Sequence, residues 1–103
     1  MLKLHHVAIA TKEFDKYVEL FENLGMSVQK TRGEKPQRQL WFNEGIQINE
    51  ITEGDDAVDH IALGVDSFDE TLGTALENGC SPIEHKDHWF KLPNGIKMEM
   101  MQN

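Results

Sequence analysis

The chain has 103 residues and a formal net charge of -8 at pH 7, from 18 acidic and 10 basic side chains. Such an acidic surface repels phosphate backbones and anionic lipids, which argues against nucleic acid and membrane partners. Cys80 is the only cysteine, and no apolar run approaches the roughly 20 residues that span a bilayer. We therefore expect a single cytoplasmic domain without an intrachain disulfide.

The first half of the chain predicts one strand, one helix and three more strands. Its opening strand alternates aliphatic side chains with a histidine and small side chains. Apolar residues then recur at helical spacing until Gly25 ends the helix. The predicted elements are a strand at 4–11, a helix at 14–24, and strands at 27–31, 37–42 and 46–51.

The second half repeats this order. Ser67 and Glu70 have the spacing of a capping box, which predicts where the second helix begins. Asn78 and Gly79 end that helix, and a turn at 93–95 precedes the last strand. The predicted elements are a strand at 58–65, a helix that begins after Ser67 and ends at Asn78-Gly79, and strands at 81–85, 88–92 and 96–101.

The two halves form an internal repeat. His60 corresponds to His6, and Ala62 corresponds to Ala8. The offset is 54 residues at the histidines but 50 at Gly45 and Gly95, so the second copy is shorter between its helix and its last strand. We predict an α+β fold in which two βαβββ modules, 1–53 and 57–103, pair into one curved, cup-shaped mixed sheet with the helices on its outer face.

The glycine turns suggest a second correspondence, in the last strand of each module. Aligning Gly45 with Gly95 makes Asn49 equivalent to Glu99. By strand alternation, Glu99 lies on the face opposite the helix, the face that also carries the histidines.

Two histidines and one carboxylate on this face form a candidate metal site. A lone histidine on a strand is usually structural, but His6 and His60 occupy equivalent positions of a repeat and Glu99 joins them. Two imidazoles and a carboxylate suit a divalent ion such as Fe, Mn, Zn, Ni or Co, and they leave coordination positions open.

Together these motifs resemble the vicinal oxygen chelate superfamily, which includes glyoxalases, fosfomycin resistance proteins and extradiol dioxygenases. The resemblance covers essentially the whole chain. It depends on the two histidine strands and on residues 90–99, an aromatic residue and a Pro-x-Gly turn followed by Glu99. It implies metal ligands from the first and last strands, here His6, His60 and Glu99, with Asn49 at the fourth position. Asn49 departs from the acidic or glutamine ligand of glyoxalase-like members, because a neutral amide oxygen is a weak donor.

Further residues are candidates for substrate binding. Lys97 lies on the predicted cavity side beside Glu99 and suits a substrate anion, and Asn49 is a candidate as well. His88 occupies the repeat position of Arg38 and is a candidate for lining the cavity, with surface exposure as the alternative. Trp89 is a candidate too, with packing in the core or a dimer interface as its alternative.

The resemblance implies a small metal-dependent lyase, isomerase, transferase or dioxygenase. The ion would chelate two oxygens of a small substrate, and Glu99 is the candidate catalytic residue. The alternative is a metal-free small-molecule binding module like the bleomycin-resistance members, which the net acidity and Asn49 favour. A third reading is a regulatory remnant with a filled cavity. We expect a homodimer, with modules paired either within one chain or by exchange between chains.

Overall fold

The computed structural model describes all 103 residues and contains eight strands and two helices. Each half has the predicted order of strand, helix and three strands. The elements are β1 (Lys3–Thr11), α1 (Phe14–Asn23), β2 (Val28–Arg32), β3 (Gln39–Phe42), β4 (Ile46–Glu50), β5 (Ala57–Val65), α2 (Phe68–Glu77), β6 (Ser81–Ile83), β7 (Lys86–Lys91) and β8 (Lys97–Gln102).

Hydrogen bonds join the strands into one mixed sheet in the order β2-β3-β4-β1-β5-β8-β7-β6. The predicted α+β architecture of two βαβββ modules is therefore confirmed. Within the chain, contacts define two compact units. The N-terminal unit is Val7–Asp59, and the C-terminal unit combines Met1–His6 with His60–Asn103. Neither of the ten-residue helices has the length and apolarity that crossing a membrane requires.

The N-terminal unit is built on a parallel pair, β1 with β4, extended by antiparallel β3 and β2. Its core lies between this part of the sheet and α1. The buried members are Phe14, Leu40, Phe42 and Ile48, and Tyr17 packs against them from α1. Tyr17 follows Phe14 at helical spacing, and its place in this cluster shows that it packs against the core.

Arg38 ties together the start of α1 and the end of β4 within the N-terminal unit. Its Nε and Nη2 donate to the two carboxylate oxygens of Glu50, both at 2.9 Å, and its Nη1 donates to Asp15 at 3.0 Å. The guanidinium also lies 4.3 Å from the centre of the Phe14 ring. These two carboxylates therefore take the side-chain donors of Arg38, the repeat counterpart of His88.

This network predicts a pH-dependent contribution to stability. The hydrogen bonds from Arg38 lower the pKa of Glu50 from 4.5 to about 2. A carboxylate with a lowered pKa in the folded state stabilises the fold above its ordinary pKa, and this contribution is lost as the pH falls through the folded value. We expect Glu50→Gln to be less stable than the parent at neutral pH, with the difference shrinking between pH 4.5 and about 2.

Urea unfolding across this pH range measures the difference. Glu53→Gln is the matched control, because Glu53 is an exposed glutamate in the loop before β5 and should leave the pH profile unchanged. A difference between Glu50→Gln and the parent that stays constant from neutral pH to pH 2 would contradict the ion pair as its source.

The C-terminal unit repeats the arrangement, with β5 parallel to β8 and then antiparallel β7 and β6. Its core contains Val65, Phe90, Met98 and Met100, with side chains of α2 packed against them. The predicted helix start is confirmed, because the Glu70 N–H donates to Ser67 Oγ at 3.2 Å. Met98 and Met100 are both buried and fill this core.

Some strand ends differ from the sequence-based prediction. Strand β3 begins at Gln39 rather than at 37, because Gln37 N–H closes a turn onto the Glu34 carbonyl at 2.7 Å. Strand β6 ends at Ile83 rather than at 85. His85 there has φ of 64°, a left-handed conformation that no strand residue adopts, so the chain turns at this point.

Candidate metal centre

Strand alternation determines which side chains share a face with His6 and His60 in the C-terminal unit. His6 lies on β1 and His60 on β5, and each side chain is buried with only 6% of its residue surface exposed. Two residues further along each strand, Ala8 and Ala62 are fully buried. The predicted pattern of a histidine followed by small residues on one face is thus present on both strands.

Glu99 on β8 joins these histidines. Its register partner on β5 is Ala62, two residues after His60, so the carboxylate and the imidazole share a face. Glu99 Oε1 lies 3.3 Å from His60 Nε2 and 3.6 Å from His6 Nε2. The three donor atoms all lie within 4.8 Å of one another, so the structure brings together the three ligands that the repeat predicted.

These separations fit a single divalent ion. Donor atoms bound at about 2.1 Å lie about 3.0 Å apart in octahedral and about 3.4 Å apart in tetrahedral coordination. Both observed distances to Glu99 Oε1 are close to those values. Two imidazole nitrogens and a carboxylate oxygen also form the donor set expected for Fe, Mn, Zn, Ni or Co. The residues present therefore fit the metal that the resemblance implies.

The electrostatics of the cluster keep Glu99 ionised. A hydrogen bond with His60 is the main cause that holds the pKa of Glu99 below its ordinary value, and the nearby imidazoles of His6 and His5 act in the same direction. Partial burial opposes this shift but does not reverse it. The Glu99 side chain is 23% exposed, so the cluster meets solvent at the carboxylate while both histidine Nε2 atoms are buried.

Trp89 forms a wall beside the cluster. It is the register partner of Glu99 on β7, and its ring meets the His60 ring edge-on with centroids 4.7 Å apart. Lys86 Nζ lies 4.7 Å from the centre of the Trp89 ring. This placement next to a ligand agrees with the predicted location of Trp89, and its role in substrate binding stays a prediction.

His88 is not part of this cluster, and its exposed side chain agrees with the predicted alternative of surface exposure. It precedes Trp89 on β7, so alternation turns its side chain to the face that packs on α2. There its ring stacks on Phe68 with centroids 3.8 Å apart and planes 7° from parallel. Phe90, on the same face of β7, belongs to the core under α2.

The predicted equivalence of Asn49 and Glu99 is wrong by two residues. In the N-terminal unit, Ala8 pairs with Gln47 and Ala10 pairs with Asn49. In the C-terminal unit, Ala62, the counterpart of Ala8, pairs with Glu99. Gln47, which is buried, therefore holds the position of Glu99 relative to the first strand of its module.

The side chain of Asn49 has hydrogen-bond partners within the N-terminal unit. Its Oδ1 accepts from Gln47 Nε2 at 2.7 Å and from Gln39 Nε2 at 3.3 Å. An amide oxygen that accepts two hydrogen bonds is a poorer metal donor still. The role of Asn49 in substrate binding stays a prediction.

Lys97 lies on β8 two residues before Glu99, so alternation places both on one face of the strand. Lys97 pairs with Lys91 across β7 and β8 and is half-buried. The prediction that Lys97 binds a substrate anion agrees with this position and is not tested by it.

His5 is a contact of the cluster that the sequence reasoning missed. Strand alternation turns His5 away from the face of His6, and His5 is exposed, yet its Nδ1 lies 2.8 Å from His6 Nδ1. The two rings meet edge-on, with centroids 5.0 Å apart. The only signal in the sequence was the adjacency of the two histidines.

Comparison with known proteins identifies the fold. No protein-family model matches the chain, and no curated protein sequence matches it. Among solved structures, the hypothetical protein BH1468 from Bacillus halodurans C-125 matches with a TM-score of 0.75 and 18% identity, covering 99% of this chain and 94% of that protein.

Two enzymes of known activity share this fold. Methylmalonyl-CoA epimerase from Mycobacterium tuberculosis matches with a TM-score of 0.63 and 16% identity, over 96% of this chain and 86% of the epimerase. BphC, a halotolerant catechol dioxygenase, matches with a TM-score of 0.73 and 12% identity over 97% of this chain, which spans 40% of the dioxygenase. These likenesses confirm the predicted fold of two paired βαβββ modules, and they show the fold rather than the reaction.

Proposed function

We propose that the chain is a small metal-dependent enzyme of the vicinal oxygen chelate type, with His6, His60 and Glu99 as ligands of one divalent ion. The observation that carries this proposal is the approach of two buried imidazole Nε2 atoms to the same carboxylate oxygen, at 3.3 and 3.6 Å. Catechol dioxygenase and methylmalonyl-CoA epimerase act on substrates that carry oxygen atoms, and their shared fold supports a substrate of that kind.

Each residue of the cluster has a distinct part in this proposal. A bound divalent ion supplies Lewis-acid polarisation of two neighbouring substrate oxygens. His6 and His60 hold the ion as neutral ligands, so the site keeps a net positive charge that attracts an oxygen-rich substrate. Glu99 would lie beside the ion as an ionised carboxylate, and it is the candidate acceptor for a substrate proton.

The side chains around the proposed ligands determine which substrates fit the site. The Trp89 ring lies against His60 and offers an apolar wall, which excludes water from one side of the site. Lys97, on the same face of β8 as Glu99, adds a positive charge suited to a carboxylate of the substrate. We therefore propose a small anionic substrate with two vicinal oxygens.

Thermal unfolding with Zn²⁺ tests the metal site. A ligand at 100 times its dissociation constant stabilises the state that binds it by about 2.7 kcal/mol. For a domain of this size such a gain raises the Tm by about 10–20 °C. We expect this rise for the parent chain and none for Glu99→Ala, which keeps both histidines but lacks the carboxylate. Equal shifts in the two proteins would contradict the proposed ligand set.

Oxalate, a planar dianion with two vicinal oxygens, extends the same experiment to the substrate class. We expect oxalate to raise the Tm further only when Zn²⁺ is present, because the ion provides its binding point. A rise with oxalate in metal-free protein, without any response to Zn²⁺, would instead favour the metal-free binding module.

A further inference from the structure

The contact between His5 and His6 requires a hydrogen atom on one of the two facing ring nitrogens. Their Nδ1 atoms lie 2.8 Å apart, which is hydrogen-bond distance. In a neutral imidazole one ring nitrogen donates and the other accepts. One of the two Nδ1 atoms must therefore carry the hydrogen, and the other must present its lone pair.

The direction of this hydrogen bond decides whether His6 can bind an ion. If His6 Nδ1–H donates to His5, then His6 Nε2 keeps its lone pair on the side where His60 and Glu99 lie. In the reverse arrangement the neutral His6 ring carries its hydrogen on Nε2, which blocks coordination there. His6 Nε2 lies 3.6 Å from Glu99 Oε1, so an ion held between these two atoms needs the lone pair on Nε2 and the hydrogen on Nδ1.

We propose that His5 is a positioning residue for the metal centre, which accepts the hydrogen bond from His6 Nδ1–H and thereby fixes the tautomer and ring orientation of His6. The inference rests on the proposed function. Ligand histidines commonly donate their second ring N–H to a carboxylate, a backbone carbonyl or water. Here the acceptor is a second imidazole, supplied by the residue immediately before the ligand in the chain.

The exposure of His5 makes the inference testable, because its replacement creates no cavity in the core. His5→Leu removes the hydrogen-bond acceptor and keeps a side chain of similar bulk. His5→Gln retains an acceptor, its amide oxygen. Loss of an outer-shell partner weakens metal binding by about 10- to 100-fold. We expect that loss of Zn²⁺ affinity for His5→Leu, measured by competition with a chelating dye, and an affinity within about threefold of the parent for His5→Gln.

Two outcomes would overturn the inference. One is a His5→Leu variant that binds Zn²⁺ as tightly as the parent. The other is a His5→Gln variant as weak as His5→Leu, since a merely structural role would not distinguish the two. His85→Asn is the matched control, because it removes an exposed histidine from a turn with positive φ that asparagine tolerates.

The tautomer can also be observed without metal. Long-range ¹H–¹⁵N correlation spectra at about pH 8.5, where an ordinary histidine is neutral, show which ring nitrogen of His6 carries the hydrogen. We expect Nδ1–H on His6 in the metal-free parent and in His5→Gln, and a shift toward Nε2–H in His5→Leu. Nε2–H on His6 in the parent would overturn the inference. If the parent binds no metal at all, the proposed function fails, while these spectra still show whether His5 fixes the tautomer of His6.

Discussion

Replacing His60 by alanine is expected to lower the affinity for Zn²⁺ by more than about 100-fold, beyond the effect of losing an outer-shell partner. His60 Nε2 is the donor atom closest to Glu99 Oε1, at 3.3 Å. Without it, only one imidazole and one carboxylate would remain of the three-residue donor group. Titration calorimetry or dye competition measures the change, and circular dichroism shows whether the variant is folded.

The matched control for this substitution is again His85→Asn, which should bind Zn²⁺ as the parent does. The His85 side chain is 89% exposed and lies in the turn between β6 and β7. If His60→Ala retained an affinity within a few-fold of the parent, Zn²⁺ would be binding elsewhere and the ligand assignment would be wrong.

Replacing Phe90 by alanine is expected to lower the free energy of unfolding by about 3–5 kcal/mol, as for other buried phenylalanines. Phe90 is 4% exposed and packs with Val65, Met98 and Met100 in the core of the C-terminal unit. Its truncation removes apolar burial and leaves a cavity. Urea unfolding at neutral pH, with the parent as reference, measures the loss.

A second expectation separates this core from the metal centre. Phe90 lies on the helix-facing side of β7, whereas its neighbour Trp89 lies beside His60. Folded Phe90→Ala should therefore still bind one Zn²⁺ per chain. Leu76→Ala is the control for stability, because Leu76 on α2 is 41% exposed and its truncation should cost less than about 1 kcal/mol. A loss for Phe90→Ala no larger than that of Leu76→Ala would contradict its place in the core.

Much of the fold and the grouping of the three candidate ligands could be predicted from the sequence, because each signal occurs twice in the repeat. A single histidine on a strand carries little information, but His6 and His60 stand at the same point of two matching strands. The alternation of apolar side chains placed Glu99 on their face, since a shift by one residue would have exposed Met98 and Met100. The structure bears out each of these positions.

The register of the last strands could not be predicted in the same way. A slip of one residue exchanges the two faces of a strand, but a slip of two leaves every side chain on its own face. The apolar pattern is therefore unable to distinguish Gln47 from Asn49 as the counterpart of Glu99. The glycine turns indicated Asn49, while pairing with the first strand gives Gln47.

Side-chain contacts around the site could also not be predicted from the sequence pattern. His88 was compared with Arg38 by repeat position, but its stacking on Phe68 depends on which face of β7 meets α2. Alternation places His5 and His6 on opposite faces of β1, although the two adjacent imidazoles approach each other through their Nδ1 atoms. Such contacts depend on side-chain rotation, which periodicity does not describe.

Elemental analysis of the native protein tests the central claim most directly. Protein purified without chelators, then dialysed against Zn²⁺ and freed of unbound metal, should contain one divalent ion per chain. The variant that combines His6→Ala, His60→Ala and Glu99→Ala should contain none above background. A parent chain that holds no ion after dialysis, or as much metal in the triple variant as in the parent, would contradict a metal centre at His6, His60 and Glu99.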